Sequence, residues 1–345
     1  MEIQTLNLKI KRHYQKWRHF LEVNGIQHFE PSEVDQIEQT FVWIEGQEIA
    51  ATGSLAGKVL KYIAVDRRYA AEGALFNQVI SQLMQAAATN GQYHLFVFTK
   101  PQYQASFEYV GFHTLAATND GVILETGTPD INSFIQAIPK PKAHQQVAAI
   151  VMNANPFTLG HRALVEAASR ENDLVYLFIV QAERSLFTFQ ERWQLVKEGV
   201  ADLTNVKPVA SGDYLISAAT FPAYFLKDDQ DLGTYQAALD ITLFKNQFVP
   251  ALQIKRRYVG TEPLSKTTNS YNKVMKQLLP PEVEVVEMAR KLDQTGQPIS
   301  ATRVRQAIAT GDQQSLQALL PTSSYNYIKE HLATLQERML KIGRK

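Results

Sequence analysis

Two apolar runs, VAAIVM from residue 147 and DLVYLFIVQ from residue 173, flank a stretch with helical periodicity from about 160 to 171. Strands with one face in water alternate apolar and polar residues, whereas strands covered on both faces are apolar throughout. The pattern therefore predicts a βαβ unit in a parallel sheet. Its crossover should be right-handed, and any ligand should lie beyond the carboxyl ends of the strands. Residues 164, 167 and 168 carry the apolar face of the predicted helix, with Arg162, Glu166 and Arg170 mostly opposite.

The link between first strand and helix reads NANPFTLGH. A helix start holds backbone N–H groups without intrahelical partners and a partial positive charge, which together make an anion site. Gly160 has no Cβ, so an anion can approach the backbone closely there. Thr158 brings a hydroxyl, and His161 a donor that strengthens on protonation. The competing reading is a plain threonine cap followed by a surface histidine.

Composition narrows the partners. A length of 345 residues suggests two domains, and a formal net charge of +1 gives no field for holding a nucleic acid. There is no cysteine, so any thioester must form on another molecule. The N-terminal segment MEIQTLNLKIKRHYQKW lacks an apolar signal core, and no run is long enough to span a membrane, which predicts a cytoplasmic protein without a membrane partner. The scattered histidines predict no protein-held metal site. Residues 131–146, with their lysine–proline steps, read as a linker between a domain at 1–130 and another at 147–345. In the first, FVWIEGQEIAATGSLAG reads as two strands around a turn, followed by VLKYIAVD, a helix from about 72 to 90, and YHLFVFT. In the second, a helix at about 189–203, strands near 206–210 and 254–259, and a helical region from about 301 follow the βαβ unit.

A second segment, PISATRVRQAIATGD, places Ser300 as the N-cap of a helix that ends at Gly311. Ser300 and Thr302 bring hydroxyls to another helix start, and Arg303 and Arg305 bring fixed positive charge. Two helix starts, a histidine and an arginine suit a triphosphate and the departure of pyrophosphate from it.

T-x-G-H after a strand, with I-S-x-T-x-x-R near the end of the domain, resembles the HxGH nucleotidyltransferase superfamily. The blocks NANPFTLGH, SGDYLISAATFPAYFLK, GTEPLSKTTNSYN and ISATRVR together resemble the citrate lyase ligase family, over most of the chain. The resemblance implies a Rossmann-like nucleotidyltransferase domain with a parallel sheet. It also implies an acid–thiol ligase that uses ATP and Mg²⁺ to join acetate to the thiol prosthetic arm of the citrate lyase acyl carrier subunit. By motif, Thr158 and His161 contact the ATP phosphates, with His161 on the pentacoordinate α-phosphate, and Ser300, Thr302 and Arg305 hold the β- and γ-phosphates. Asn155 stands where many relatives outside the family have aspartate. Gly160, and Gly260 and Glu262 after the strand IKRRYVG, match nucleotide-side positions, as do Pro263, Thr268, Tyr271 and Asn272. Small residues Ser217, Ala218, Ala219 and Thr220 suit an acetate pocket or tight packing equally. Of Arg184 and Arg192, one could meet phosphate, although local pairing is the commoner use.

In the N-terminal part, YIAVDRRYAAEGALFNQVISQLM and YVGF resemble the GNAT acetyltransferase fold, a mixed α/β architecture. Arg68, Ala71 and Gly73 fall at the pyrophosphate-loop positions, with Ala71 in place of a glycine. The resemblance implies a domain that recognises a coenzyme-A-like arm or its carrier. Three alternatives stay open at this point: adenylylation of a small phosphorylated metabolite, acetyl-CoA transfer by the N-terminal half, and a nucleotide sensor.

Overall fold

The computed structural model describes residues 1–181, 185–215, 232–261 and 266–342, with every side chain among them but those at 32, 70–72, 266 and 267. These residues divide into two units. One comprises residues 1–137 with the helix Leu232–Leu243, and the other residues 138–215 and 244–342.

The first unit carries β1 (Glu2–Thr5), β2 (Gln39–Glu45), β3 (Glu48–Ala56), β4 (Val59–Val65), β5 (His94–Thr99), β6 (His113–Ala117) and β7 (Val122–Gly127). Their order is β1-β2-β3-β4-β5-β7-β6, antiparallel at each step except β4/β5. The helix Ala74–Thr89 lays Leu75, Val79, Ile80 and Leu83 on this sheet, and each such side chain taken fully from water contributes about 1.5–3 kcal/mol. Gly53 of β3 sets how closely the helix lies, because a Cβ there would stand 2.7 Å from Leu83 and 2.8 Å from Val79. The architecture is the mixed α/β one expected for this part of the chain.

The second unit is a parallel sheet of β8 (Val147–Met152), β9 (Leu174–Ile179), β10 (Val206–Ala210), β11 (Arg256–Gly260) and β12 (Glu284–Met288) in the order β10-β9-β8-β11-β12. Every residue of β9 and all but Val151 of β8 are buried, which is why both strands lack alternation. The helix Leu159–Glu171 buries Val165, Ala167 and Ala168. Leu164, expected in the core face, packs partly buried against that core and also borders a cavity, and Val165 lies fully within the core.

Helix Phe189–Gly199 is shorter than its periodicity suggests. Beyond it the chain turns so that Asp202 pairs with Arg162 at 2.6 Å. Gly199 at its end is required by Phe157 of the NANPFTLGH loop, since a Cβ would come within 2.5 Å of that ring. From the same helix the fully buried Arg192 donates to the carbonyls of Phe187, Asn153 and Val180 at 3.2, 2.9 and 2.5 Å. It thus fastens the loops leaving β8 and β9, a local structural use rather than a surface charge. Removing a partner from a buried charge costs about 3–5 kcal/mol, so these loops are firmly held. No helix among the described residues is long and apolar enough to cross a membrane.

Candidate active site

The ladder between β8 and β11 consists of Ala148 with Arg256 and Ala149 with Arg257, although β8 continues to Met152 and β11 to Gly260. The strand order also changes direction here, with β9 and β10 on one side and β11 and β12 on the other. Parallel sheets bind ligands at such switch points, beyond the carboxyl ends. A cavity of about 540 Å³ opens there, lined by the strand ends and by the starts of helices Leu159–Glu171 and Ala301–Thr310. That volume suits a small ligand.

Thr158 does cap its helix, and it also lines the cavity. Its hydroxyl accepts from the His161 backbone N–H at 3.2 Å, while His161 Nδ1 accepts from the Thr158 backbone N–H at 3.1 Å. Because Nδ1 is an acceptor, the ring's own proton sits on Nε2, and that is the donor His161 has to offer. Phe157 lies flat on the ring, 5.9 Å between centroids. Burial pushes the His161 pKa down to about 4, with the nearby Arg290 charge adding to the effect. The imidazole is therefore neutral at pH 7.

Gly160 lines the cavity, and a Cβ on it would stand 3.0 Å from the Ile299 carbonyl. Its missing side chain lets the two helix starts approach each other, so the glycine serves packing between the motifs as well as access for an anion. Ser300 accepts from the Arg303 N–H at 3.3 Å as the N-cap of the second helix, and Ser300 and Thr302 both line the cavity. The segment before Ser300 folds back on itself. Asp293 accepts from the Thr295 hydroxyl at 2.6 Å and pairs with Arg303 at 2.6 Å. These contacts hold its carboxyl well below the usual carboxylate range. Arg303 is thereby committed to the turn.

Arg305 is one hydrogen bond removed from the lining. It donates to the Asn155 carbonyl at 2.8 Å and to the Thr302 hydroxyl at 3.0 Å, and burial lowers its pKa. Asn155 is also outside the lining, and its side chain accepts from the Phe187 N–H at 3.1 Å. Gly260 lines the cavity, and its carbonyl accepts from Asn272 at 3.1 Å; Thr268, Tyr271 and Asn272 line it too. Glu262, Pro263, Ser217, Ala218, Ala219, Thr220 and Arg184 lie outside the described residues.

Sequence reasoning missed the cations beyond β12. Arg290 and Lys291 line the cavity, and Arg290 Nε donates to the Thr261 carbonyl at 2.8 Å. Burial lowers the Arg290 pKa. The available signal was EVEVVEMARK, an alternating run closed by two cations, which places positive charge at a carboxyl end. Among the described lining residues there is no carboxylate. Nor do the described residues include a cluster of three or more histidines and carboxylates able to hold a metal.

A switch-point cavity that joins two capped helix starts to a neutral histidine and cationic walls is a site for a phosphate-bearing ligand. A family model described as the citrate lyase ligase C-terminal domain matches residues 147–328. The citrate pro-3S-lyase ligase of Klebsiella pneumoniae is 38% identical over 291 residues, 82% of this chain and 84% of that protein. The ligase of the same name from Escherichia coli (strain K12) is 33% identical over 308 residues, 87% of each. The chain belongs to the citrate lyase ligase family. Among solved structures, Thermotoga maritima TmcAL bound with alpha-thio ATP is similar at a TM-score of 0.39 and 10% identity, covering 55% of this chain and 56% of that one.

Proposed function

We propose that this chain activates acetate with ATP and passes the acetyl group to the thiol of the citrate lyase acyl carrier subunit. The observation that carries the reading is the meeting of the T-x-G-H and I-S-A-T helix starts in one cavity, with His161, Arg290 and Lys291 in its walls. Acetate is ionised at neutral pH and needs no general base. Its oxygen attacks the α-phosphorus in line, and the bond from that phosphorus to the α–β bridging oxygen breaks. Pyrophosphate leaves with the electron pair, giving acetyl-adenylate. The carrier's sulfur then attacks the acetyl carbon, the bond to the AMP oxygen breaks, and the thiol proton is released to solvent.

Thr158 and His161 bind the α-phosphate, the imidazole donating from Nε2. Ser300, Thr302 and the two helix starts bind the β- and γ-phosphates, with Arg290 and Lys291 offsetting charge on the leaving pyrophosphate. Arg305 supports this end through Thr302 and holds Asn155 in place. Gly160 and Gly260 keep the two sides open. The described lining would offer Mg²⁺ the hydroxyls of Thr158, Ser300 and Thr302. When bound, it neutralises phosphate charge.

The test is exchange of labelled pyrophosphate into ATP, with and without acetate, followed by mass measurement of the carrier. Acetate-dependent exchange and an added acetyl group on the carrier thiol are expected. Exchange supported by a phosphorylated metabolite instead of acetate would overturn the reading.

A further inference from the structure

The whole chain has a formal charge of +1, yet residues 3–21 contain five lysines and arginines and no acidic residue. Most of them fall on the helix Lys11–Val23, which buries Trp17, Phe20 and Leu21. On its other side Lys11, Arg12, Lys16, Arg18 and His19 are exposed, with Gln15 between them, and Lys9 is exposed just ahead of it.

This arrangement is electrostatically unfavourable for the chain by itself. A helix start carries partial positive charge and is stabilised by acidic residues in its first turn. Here the first turn holds none, Lys9, Lys11 and Arg12 surround it, and Ile10 at the N-cap makes no side-chain bond. Arg12 and Lys16 repeat the conflict at i, i+4, a spacing at which like charges repel. Among the described residues Arg18 pairs with Glu22 at 2.7 Å, and no ion pair of Lys9, Lys11, Arg12 or Lys16 occurs. Lys16 donates to the Gln47 carbonyl at 2.7 Å and keeps its charge. The carboxylates beside Gln47 are engaged elsewhere, Glu45 with Tyr69 and Glu48 with Arg68. A folded chain keeps such a local conflict where function requires it.

The face suits a macromolecular anion, and its composition says which. A helix that binds membranes inserts its apolar side, but here that side is buried in the fold. A nucleic acid strand needs exposed rings to stack its bases, whereas Trp17 is buried and Tyr14 half-buried. Between the cations stand an amide, an imidazole and Val23, 65% exposed, a mixed surface on which a protein bearing carboxylates can close.

We propose that the helix Lys11–Val23 is the docking surface for the citrate lyase acyl carrier subunit, with Lys9, Lys11, Arg12 and Lys16 meeting carboxylates on the carrier. That the acidic partner is the carrier rests on the function proposed above. Asn24, Gly25 and Ile26, just past the helix, border a cavity of about 650 Å³ where β4 and β5 part beyond Leu60 and Val97. None of the four cations lines it, so replacing them reports on the face and not on the cavity.

The experiment uses the full chain with holo-carrier and apo-carrier. In Lys9→Glu/Lys11→Glu/Arg12→Glu the KM for holo-carrier should rise at least tenfold at low salt with kcat unchanged. Acetate-dependent pyrophosphate exchange, which needs no carrier, should stay within twofold. Added salt should raise the KM of the unaltered chain and leave that of the variant nearly level. Apo-carrier, which lacks the arm, should inhibit the unaltered chain but not the variant, separating recognition of the surface from recognition of the arm. The variant should melt above the unaltered chain, because acidic residues replace cations at a helix start, and the matching Gln variant should show smaller changes of the same sign. A KM for holo-carrier indifferent to charge reversal, or to salt in the unaltered chain, overturns the proposal. Unchanged carrier kinetics with variant-sensitive binding to phosphatidylserine vesicles, or to a single-stranded oligonucleotide, assigns the face to that polyanion and overturns the carrier as partner. If no carrier is acetylated, the proposed function fails, while calorimetric titration of carrier into the chain and the variant still decides the surface.

Discussion

Both cavities open where a parallel strand pair stops after two residue pairs, Val59–Leu60 against Phe96–Val97 in one sheet and Ala148–Ala149 against Arg256–Arg257 in the other. Both have cationic walls with no acidic residue among those described. They differ in what can take part in a reaction. At β8/β11 two helix starts converge and a histidine holds one defined tautomer. At β4/β5 there is one helix start and no described histidine. Splayed parallel strands supply a slot for an extended or phosphate-bearing molecule, and the side chains at the slot's end decide between holding and transforming it.

The sharpest way to break this contrast is His161→Ala. Removing one preorganised donor to a developing charge costs about 10²–10³ in rate. Acetate-dependent pyrophosphate exchange should fall by that factor, while the melting curve stays as it was. Exchange within threefold of the unaltered chain would show that the β8/β11 cavity does not work through this histidine.

Arg290→Gln comes next, with a loss of about 10–100-fold in exchange, partly restored by Lys because a point charge replaces the guanidinium without its two-pronged geometry. Arg290 is the second cause of the depressed His161 pKa, after burial, so the Gln variant should bring the imidazole titration, followed by NMR, closer to its ordinary value. An unchanged titration would separate Arg290 from the site.

The strand-end and helix-start logic of the sequence leads to Thr158, Gly160, His161, Gly260, Ser300 and Thr302, all of which line one cavity. Those positions follow from local rules, namely a buried strand, a cap and a glycine. What stayed hidden depends on contacts across the chain. Arg305 reads as a phosphate ligand from its spacing, yet in the folded chain the Asn155 carbonyl, 150 residues away, takes one of its N–H groups. Arg290 was missed because β12 is a short edge strand whose glutamates pair with Arg256 and Lys276, so the segment looks like solvated surface. Helix 189–199 ends early for a similar reason, a tertiary pair between Asp202 and Arg162 that periodicity cannot register.

A smaller effect tests whether the two motifs are coupled by packing. In Gly160→Ala the added methyl meets the Ile299 carbonyl at 3.0 Å, closer than such contacts normally lie, and backbone must give way. Because Ser300 follows Ile299 directly, the second helix start moves with it. The KM for ATP should rise about fivefold, roughly 1 kcal/mol, with the KM for carrier unchanged. Equal changes in both would mean a general loss of fold rather than a loosened clamp.

The smallest effect is on stability, and its sign follows from the histidine. Folded, His161 has a pKa of about 4; unfolded, it returns to the ordinary value of about 6.5. Between these values the unfolded chain binds a proton that the folded chain refuses, so stability falls as pH drops through this window and levels off below it. From pH 7 to pH 5.5 this one group should cost about 1 kcal/mol. His161→Gln lacks the titration, so its urea midpoint should decline less than that of the unaltered chain over the same range, with equal m-values. Other titrating groups are common to both proteins and cancel. Parallel declines would mean that the imidazole takes up its proton in the folded chain, and the site would then meet ATP with a charged histidine. The contrast with the β4/β5 cavity would remain in geometry, but catalysis would start from an imidazolium rather than from a neutral donor.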